Sequence, residues 1–238
     1  MAGALDEAKK AAAYAAVDEW VKSNMVLGIG SGSTVVHVVK RVQEKVQNNS
    51  LTNVTCVPTS FQSRCLIIEA ELPLGDMQRN PQLDVAIDGA DECDPGLNCI
   101  KGGGGCHTLE KLVASNAKKF IIVADHTKES EVLGSKWVKG VPVEVIPDAY
   151  VTVRSALRQL GAEVNLRMAK KKAGPVVTDS GNFILDAHFG EMPPSTLARL
   201  AGQIKSITGV LDHGLFIGMA EAAYYGQADG TAKTVRRA

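Results

Sequence analysis

Leu83-Asp84-Val85-Ala86-Ile87-Asp88-Gly89-Ala90-Asp91-Glu92 is a short apolar run that turns acidic at its end. An apolar segment of this length reads as a buried strand of the kind found inside parallel sheets. Open α/β sheets hold their ligands outside the carboxyl ends of the strands, which is where Asp88 and Asp91 fall. A little further on comes Lys101-Gly102-Gly103-Gly104-Gly105. Consecutive glycines carry a large backbone-entropy cost, so they belong where the chain bends sharply and approaches a ligand closely.

Outward from this point, strand and helix patterns alternate. Residues 4–22 are alanine-rich, with Ala8, Ala11, Ala12, Ala15 and Val21 near helical spacing. Met25 to Gly28 reads as a strand, Ser33 to Val46 as a helix with Val35, Val38, Val39 and Val42 inward, and Val54 to Val57 as a strand ended by Pro58. A helix from Phe61 to Ala70, the strand at 83–87, a helix from Thr108 to Lys118 and a strand from Phe120 to Ala124 continue the series. This order predicts a Rossmann-like α/β fold, a parallel sheet with helices on both faces.

The pattern changes near Pro142. Val143 to Pro147 reads as a strand, Ala149 to Leu160 as a helix, and Ala162 to Arg167 as an alternating strand. Val176-Val177-Thr178 and Phe183 to Asp186 flank Asp179-Ser180-Gly181-Asn182 as a hairpin, and Ser195 to Ile207 reads as a helix stopped by Gly209. Gly214 to Ile217 is expected to return to the main sheet. The expected organisation is a catalytic domain of residues 1–140 and 213–238, with 141–212 as a smaller inserted α+β (ferredoxin-like) domain.

Composition narrows the function classes. The 238 residues carry 26 basic and 26 acidic side chains, a formal net charge of zero, which argues against a broad nucleic-acid surface. Lys170-Lys171-Lys172 and Arg236-Arg237 read as a solvated loop and terminus. No stretch approaches the roughly 20 apolar residues a bilayer requires, and no signal-peptide core follows the charged N-terminus. The five cysteines, 56, 65, 93, 99 and 106, are odd in number and lack C-x-x-C spacing, as in a protein of the reducing cytoplasm.

Gly28-Ile29-Gly30-Ser31-Gly32-Ser33-Thr34 joins a strand to a helix. Backbone N–H groups at a helix start, with Ser31, Ser33 and Thr34 hydroxyls, form an anion cradle. Ser33 stands where a dinucleotide fingerprint needs its third glycine, so a phosphate group suits the loop better than an intact dinucleotide. The bland alternative is a tight turn with Ser33 capping the helix. The Asp88–Asp94 segment fails the calcium-loop pattern, since Ala90 and Cys99 occupy its third and twelfth positions. Asp88 and Asp91 can instead grip hydroxyls or move protons, with an Asx turn as the alternative.

A carboxylate beside a lysine can take a carbon-bound proton while the ammonium stabilises the oxyanion, a pairing open to Glu110 and Lys101. Read alone, Glu110 would lie on a solvated helix face, and Lys128 would be a surface lysine. The histidines at 37, 107, 126, 188 and 213 lack metal-ligand spacing, and Cys106 has no identifiable base beside it.

Taken in order, Gly30 to Thr34, Asp88 to Glu92, Lys101 to Gly104, Glu110-Lys111, Ala124-Asp125 with Lys128, Pro142 to Pro147, and Val177-Thr178-Asp179 with Gly181-Asn182 resemble ribose-5-phosphate isomerase of the A type along essentially the whole chain. The resemblance implies interconversion of ribose 5-phosphate and ribulose 5-phosphate through an enediolate, with neither metal nor organic cofactor. It implies Glu110 as the base between C1 and C2, Asp88 in ring opening, and Lys101 stabilising charge on substrate oxygens. Asp91 would hold hydroxyls. The remaining contacts would come from Ser31, Gly32, Ser33, Thr34, Gly89, Ala90, Gly102, Gly103, Gly104 and Lys128, with Lys9 on the phosphate and Lys10 as another register. Cys106-His107 and the fourth glycine depart from the small residues expected there. The family further implies a homodimer, with a tetramer as the alternative, and no nucleic-acid or membrane partner. Other readings are a sugar-phosphate deaminase, a coenzyme A transferase, or a non-catalytic sugar-phosphate sensor.

Overall fold

In the computed structural model, which describes residues 2–237, the chain begins α1 (Ala2–Trp20), β1 (Val26–Ile29), α2 (Ser33–Gln47), β2 (Thr55–Pro58), α3 (Phe61–Glu69) and β3 (Leu83–Asp88). Next come β4 (Glu92–Cys93), β5 (Cys99–Ile100), α4 (His107–Ser115), β6 (Ala117–Asp125), β7 (Val141–Val145), α5 (Tyr150–Gln159) and β8 (Glu163–Leu166). The last elements are β9 (Phe183–His188), α6 (Pro194–Lys205), β10 (Val210–His213), β11 (Leu215–Phe216), β12 (Ala222–Gly226) and β13 (Ala232–Arg236). They group into two compact units.

The first unit comprises the described residues of Met1–Ala90, Leu109–Glu129 and Met219–Ala238. Its six-stranded sheet has the order β13-β12-β6-β3-β1-β2, parallel throughout except for the antiparallel edge strand β13. Side chains alternate across it. Leu27, Ile29, Val85, Ile87, Ile121 and Val123 meet the buried valines of α2 and the alanine face of α1 on one side. Burying each valine of α2 (35, 38, 39 and 42) contributes about 1.5–3 kcal/mol before entropy is charged. On the other side Gly28 faces α4, where an added Cβ would come 2.5 Å from Val113 Cγ1. Helices therefore cover both faces, as expected. Small residues set the spacing of α1, since a Cβ on Gly226 of β12 would fall 1.7 Å from the Ala8 carbonyl oxygen.

Two strands of this sheet, β12 and β13, were not expected. Arg236 is exposed, yet it lies on β13 and pairs with Glu19 of α1, whose carboxyl is thereby held below the usual carboxylate range.

The second unit comprises Asp91–Thr108 and Ser130–Gly218. An antiparallel sheet of order β10-β7-β9-β8 packs Val143, Val145, Val164, Leu185 and Ala187 against Val153 and Leu157 of α5 and Leu197, Leu200 and Ile204 of α6. Two expectations fail here. Val176–Thr178 forms no strand, because both edges of β9 are already taken, by β7 (Val145 opposite Phe183) and by β8 (Leu166 opposite Leu185). The Asp179–Asn182 turn does form, and its flanks satisfy a buried carboxylate: Glu144, 1% exposed, accepts from Thr178 Oγ1 (2.7 Å) and Asn182 Nδ2 (3.0 Å). Gly214 to Ile217 does not rejoin the main sheet either. Leu215–Phe216 pairs with Cys99–Ile100 in a small sheet of order β11-β5-β4.

Candidate active site

In the first unit the loop between β1 and α2 is built around Asp88. Its Oδ1 accepts from the backbone N–H of Ser31 (2.9 Å) and of Gly89 (2.7 Å), and the residue is 2% exposed. Gly30 makes this approach possible, because a Cβ there would lie 2.0 Å from Asp88 Oδ1 and 2.6 Å from its Cα. Gly32 adopts φ +103°, a conformation that other residues rarely take, and it caps α2 with no side-chain hydrogen bond. The capping role considered for Ser33 is therefore not what the chain does. Ser33 is the first residue of α2, its hydroxyl 3.1 Å from Lys9 Nζ. Lys10 turns elsewhere, pairing with Glu7 at 3.7 Å, so Lys9 is the register that reaches the loop.

A second tier of hydroxyls supports the cradle. Ser31 Oγ bonds Thr59 Oγ1 (2.9 Å) and Ser60 Oγ (2.7 Å), while Gly32 N–H donates to Gln62 Oε1 (2.8 Å). The run Thr59-Ser60 after β2 could have flagged this, because Ser60 also forms a capping box with Ser63 at α3. Helix N-terminal N–H groups beside hydroxyls and an ammonium suit a phosphate dianion.

Glu110 sits in the first turn of α4 and is 4% exposed, so the solvated-face reading fails. The positive end of the helix offsets part of the cost of burying its charge. Half-buried Lys128 closes the turn His126–Lys128 after β6, which Asp125 caps by accepting from Thr127 N–H (3.1 Å).

The second unit holds Asp91 and Lys101. Asp91 Oδ2 accepts from Gly103 N–H at 2.7 Å, so the two acids of the Asp88–Asp91 segment serve different loops. Lys101 is 2% exposed, its backbone N–H donates to Gly214 O (2.8 Å), and Nζ lies 5.2 Å from the centroid of the buried Phe216 ring. The ring face favours the cation and keeps water from it. Sequence reading missed Phe216, which nothing local marks. The glycines are not equivalent: Gly102 has φ +98° and would meet His107 at 2.7 Å with a Cβ, Gly103 would meet Asp91 Oδ1 at 2.5 Å, and Gly104 has nothing within 4 Å.

Glu92 is a structural acid. Fully buried, it accepts from the N–H groups of Gly134 (2.7 Å), Lys136 (2.9 Å) and Trp137 (3.3 Å). All five cysteines are free thiols. Burial pushes Cys56 up to about 12, and its hydrogen bond with Cys93, then burial, raises Cys99 well above the ordinary thiol range. Such thiols are poor nucleophiles. Among the described residues no group of three or more His, Cys, Asp or Glu side chains is arranged to hold a metal, and no helix is long and apolar enough to cross a membrane.

The sequence pattern of ribose 5-phosphate isomerase A (phosphoriboisomerase A) matches residues 55–230. The ribose-5-phosphate isomerase of Dictyostelium discoideum is 55% identical over 96% of this chain and 97% of its own length. That of Homo sapiens is 56% identical over 95% of this chain and 72% of its own. Among solved structures, a D-ribose-5-phosphate isomerase in complex with phospho-erythronic acid superposes with a TM-score of 0.92 at 37% identity, covering 98% of this chain and 99% of the other. Ribose 5-phosphate isomerase A from Methanocaldococcus jannaschii gives 0.89 at 37% identity, over 96% and 98%.

Proposed function

This chain belongs to the ribose 5-phosphate isomerase A family and interconverts ribose 5-phosphate and ribulose 5-phosphate in the pentose phosphate pathway, and we propose that it does so by proton transfer at Glu110. The observation that carries this reading is the burial of Glu110 at 4% exposure in the first turn of α4. A carboxylate out of water is a stronger base toward a carbon acid than a solvated one. The isomerase relatives give no support to the deaminase, transferase or sensor readings.

The steps follow from the chemistry of an aldose. Asp88 takes the proton of the anomeric hydroxyl and passes it to the ring oxygen as the C1–O4 bond breaks, which opens the furanose and exposes the C1 carbonyl. The Glu110 carboxylate removes the C2 proton, the C1–C2 enediolate forms, and its negative charge falls on the oxygen that Lys101 neutralises. Glu110 returns the proton to C1, the C2 hydroxyl proton passes to the C1 oxygen, and C2 becomes the ketone. Asp91 holds substrate hydroxyls, and residues 88–90 and 102–104 line the sugar. Ser31, Gly32, Ser33 and Thr34, with Lys9 and Lys128, bind the phosphate. A phosphorylated sugar acid such as the one held in the solved relative carries carboxylate oxygens where an enediolate carries its own, and serves as a binding probe.

The test is proton NMR of ribose 5-phosphate in D₂O with chelator-treated enzyme. Glu110→Gln is expected to lower turnover and solvent-deuterium uptake by at least about 100-fold while the phosphorylated acid still binds. A folded Glu110→Gln enzyme that turns over at the wild-type rate removes Glu110 from this role. We further infer a cytoplasmic homodimer, on the strength of the free thiols and of exposed apolar side chains such as Ile146, Val151 and Leu211 in the second unit. Light scattering should then give twice the chain mass of 25.2 kDa, and a mass equal to one chain would refute it.

A further inference from the structure

A run of glycines is the least constrained backbone a chain can offer, yet Lys101 opens one. Something must hold the loop in a single conformation for its ammonium to act at a fixed place. The contacts within the second unit converge on one peptide group. Gly103 N–H donates to Asp91 Oδ2 at 2.7 Å, and Gly102 C=O, the other end of the same peptide plane, accepts from Arg167 Nη1 at 3.1 Å. The same Nη1 donates to Gly103 C=O at 3.2 Å. An anion thus faces the N–H end of the peptide dipole and a cation the C=O end. A peptide flip, the easiest motion for a Gly–Gly link, would break both contacts and set like ends of the dipoles together.

Arg167 is itself fixed. Its Nε donates to Asp186 Oδ2 (2.9 Å) and its Nη2 to Asp186 Oδ1 (2.5 Å), with each side chain 17% exposed. Asp186 lies on β9, and Arg167 N–H continues the β8–β9 ladder by donating to Ile184 O at 2.9 Å. The anchor is therefore a sheet, and the guanidinium fork reaches from it to the loop. Lysine could not replace this, because a single ammonium does not span a bidentate carboxylate and two carbonyls together.

We propose that Arg167, held by Asp186, is a positioning residue that locks the Gly102–Gly103 peptide and so fixes Lys101 for the isomerisation. This rests on the reading that Lys101 acts on the substrate oxygens. Neither residue touches substrate in this account.

The experiment compares Arg167→Lys, Arg167→Met, Asp186→Asn and Lys101→Met with the wild-type enzyme, and takes Arg199→Met, an exposed arginine of α6, as control. Arg167→Lys is expected to lower kcat roughly 10- to 100-fold, the scale of a misplaced catalytic group, with KM little changed because the phosphate contacts lie elsewhere. Amide hydrogen exchange should quicken at Gly103, and Asp186→Asn should fall between Arg167→Lys and wild type. A merely structural role would lower the melting temperature without separating kcat from KM. The proposal is overturned if folded Arg167→Lys and Asp186→Asn keep wild-type kcat, or lose it with no faster exchange at Gly103. If Lys101→Met itself remains fully active, the role given to Lys101 fails, whereas an inactive Lys101→Met beside fully active Arg167 variants defeats this proposal alone.

Discussion

Replacing Gly30 by alanine puts one methyl group where the structure has no room for it. The added Cβ would lie 2.0 Å from Asp88 Oδ1, 2.2 Å from Asp88 Cγ and 2.6 Å from Asp88 Cα. A side chain could swing away, but the Cα belongs to β3, which is paired on both sides in the parallel sheet. Overpacking of this kind costs about 1–3 kcal/mol. Moving Asp88 also forfeits its bonds from Ser31 N–H and Gly89 N–H, and bonds to a charged group contribute about 1.5–3 kcal/mol. Together the expected loss is about 2.5–6 kcal/mol, a melting-temperature drop of roughly 5–24 °C for a chain of this size. Activity should fall with it, since Asp88 and the phosphate loop shift together. Two other glycines serve as internal comparisons. Gly32→Ala meets open space but must hold φ +103°, at a cost of about 1–3 kcal/mol. Gly104→Ala meets nothing within 4 Å, so its stability should stay within about 1 kcal/mol of wild type. Urea unfolding followed by circular dichroism, with steady-state kinetics on the same samples, checks the series. A Gly30→Ala protein within about 1 kcal/mol of wild type would refute the steric argument.

Gly103→Ala, by contrast with Gly104→Ala, would press a Cβ to 2.5 Å from Asp91 Oδ1 and 2.7 Å from Trp137 Cη2, and is expected to lose most of its activity while its neighbour's variant keeps it; equal activities would count against the loop geometry. Asp84 gives a pH prediction. Its carboxyl is lowered by the Lys118 ammonium (2.7 Å) and by Val26 N–H (2.9 Å), so its stabilisation is complete above the ordinary carboxylate range near pH 4 and is lost as pH falls through the lower folded-state value. The stability gap between wild type and Asp84→Asn should be constant from neutrality to about pH 4 and close below it; urea midpoints that show a gap independent of pH would refute the assignment.

Much of the first unit was legible because its strands are buried on both faces and read as apolar runs, Val26–Ile29, Leu83–Ile87 and Phe120–Ala124 among them. What escaped notice depends on tertiary placement. The edge strand β13 has no buried position, with Lys233, Thr234 and Arg236 exposed and Ala232 and Val235 half-buried, so no apolar run announces it. Val176–Thr178 carries strand-forming residues, yet β9, its expected hairpin partner, is already paired on both sides. The site was legible by residue type at Asp88, Lys101 and Glu110, although local pattern argued for a solvated Glu110 that the fold buries. Arg167, Gln62 and Phe216 were invisible because each meets its own loop from far along the chain, as Arg167 does across 65 residues to Gly102.

The strand order has a consequence for how this chain emerges from the ribosome. β6 is complete at Asp125, but its parallel neighbour β12 begins only at Ala222, after the whole of Ser130–Gly218 has been made. At roughly 5–20 residues per second the apolar edge of Phe120–Ala124 waits on the order of ten seconds for its partner. A nascent edge rich in isoleucine and valine is a template for wrong pairing with other chains. Biogenesis of this enzyme should therefore draw on chaperones at one identifiable strand during one identifiable interval, and a premature stop between residues 130 and 218 should yield an aggregating fragment in place of a smaller domain.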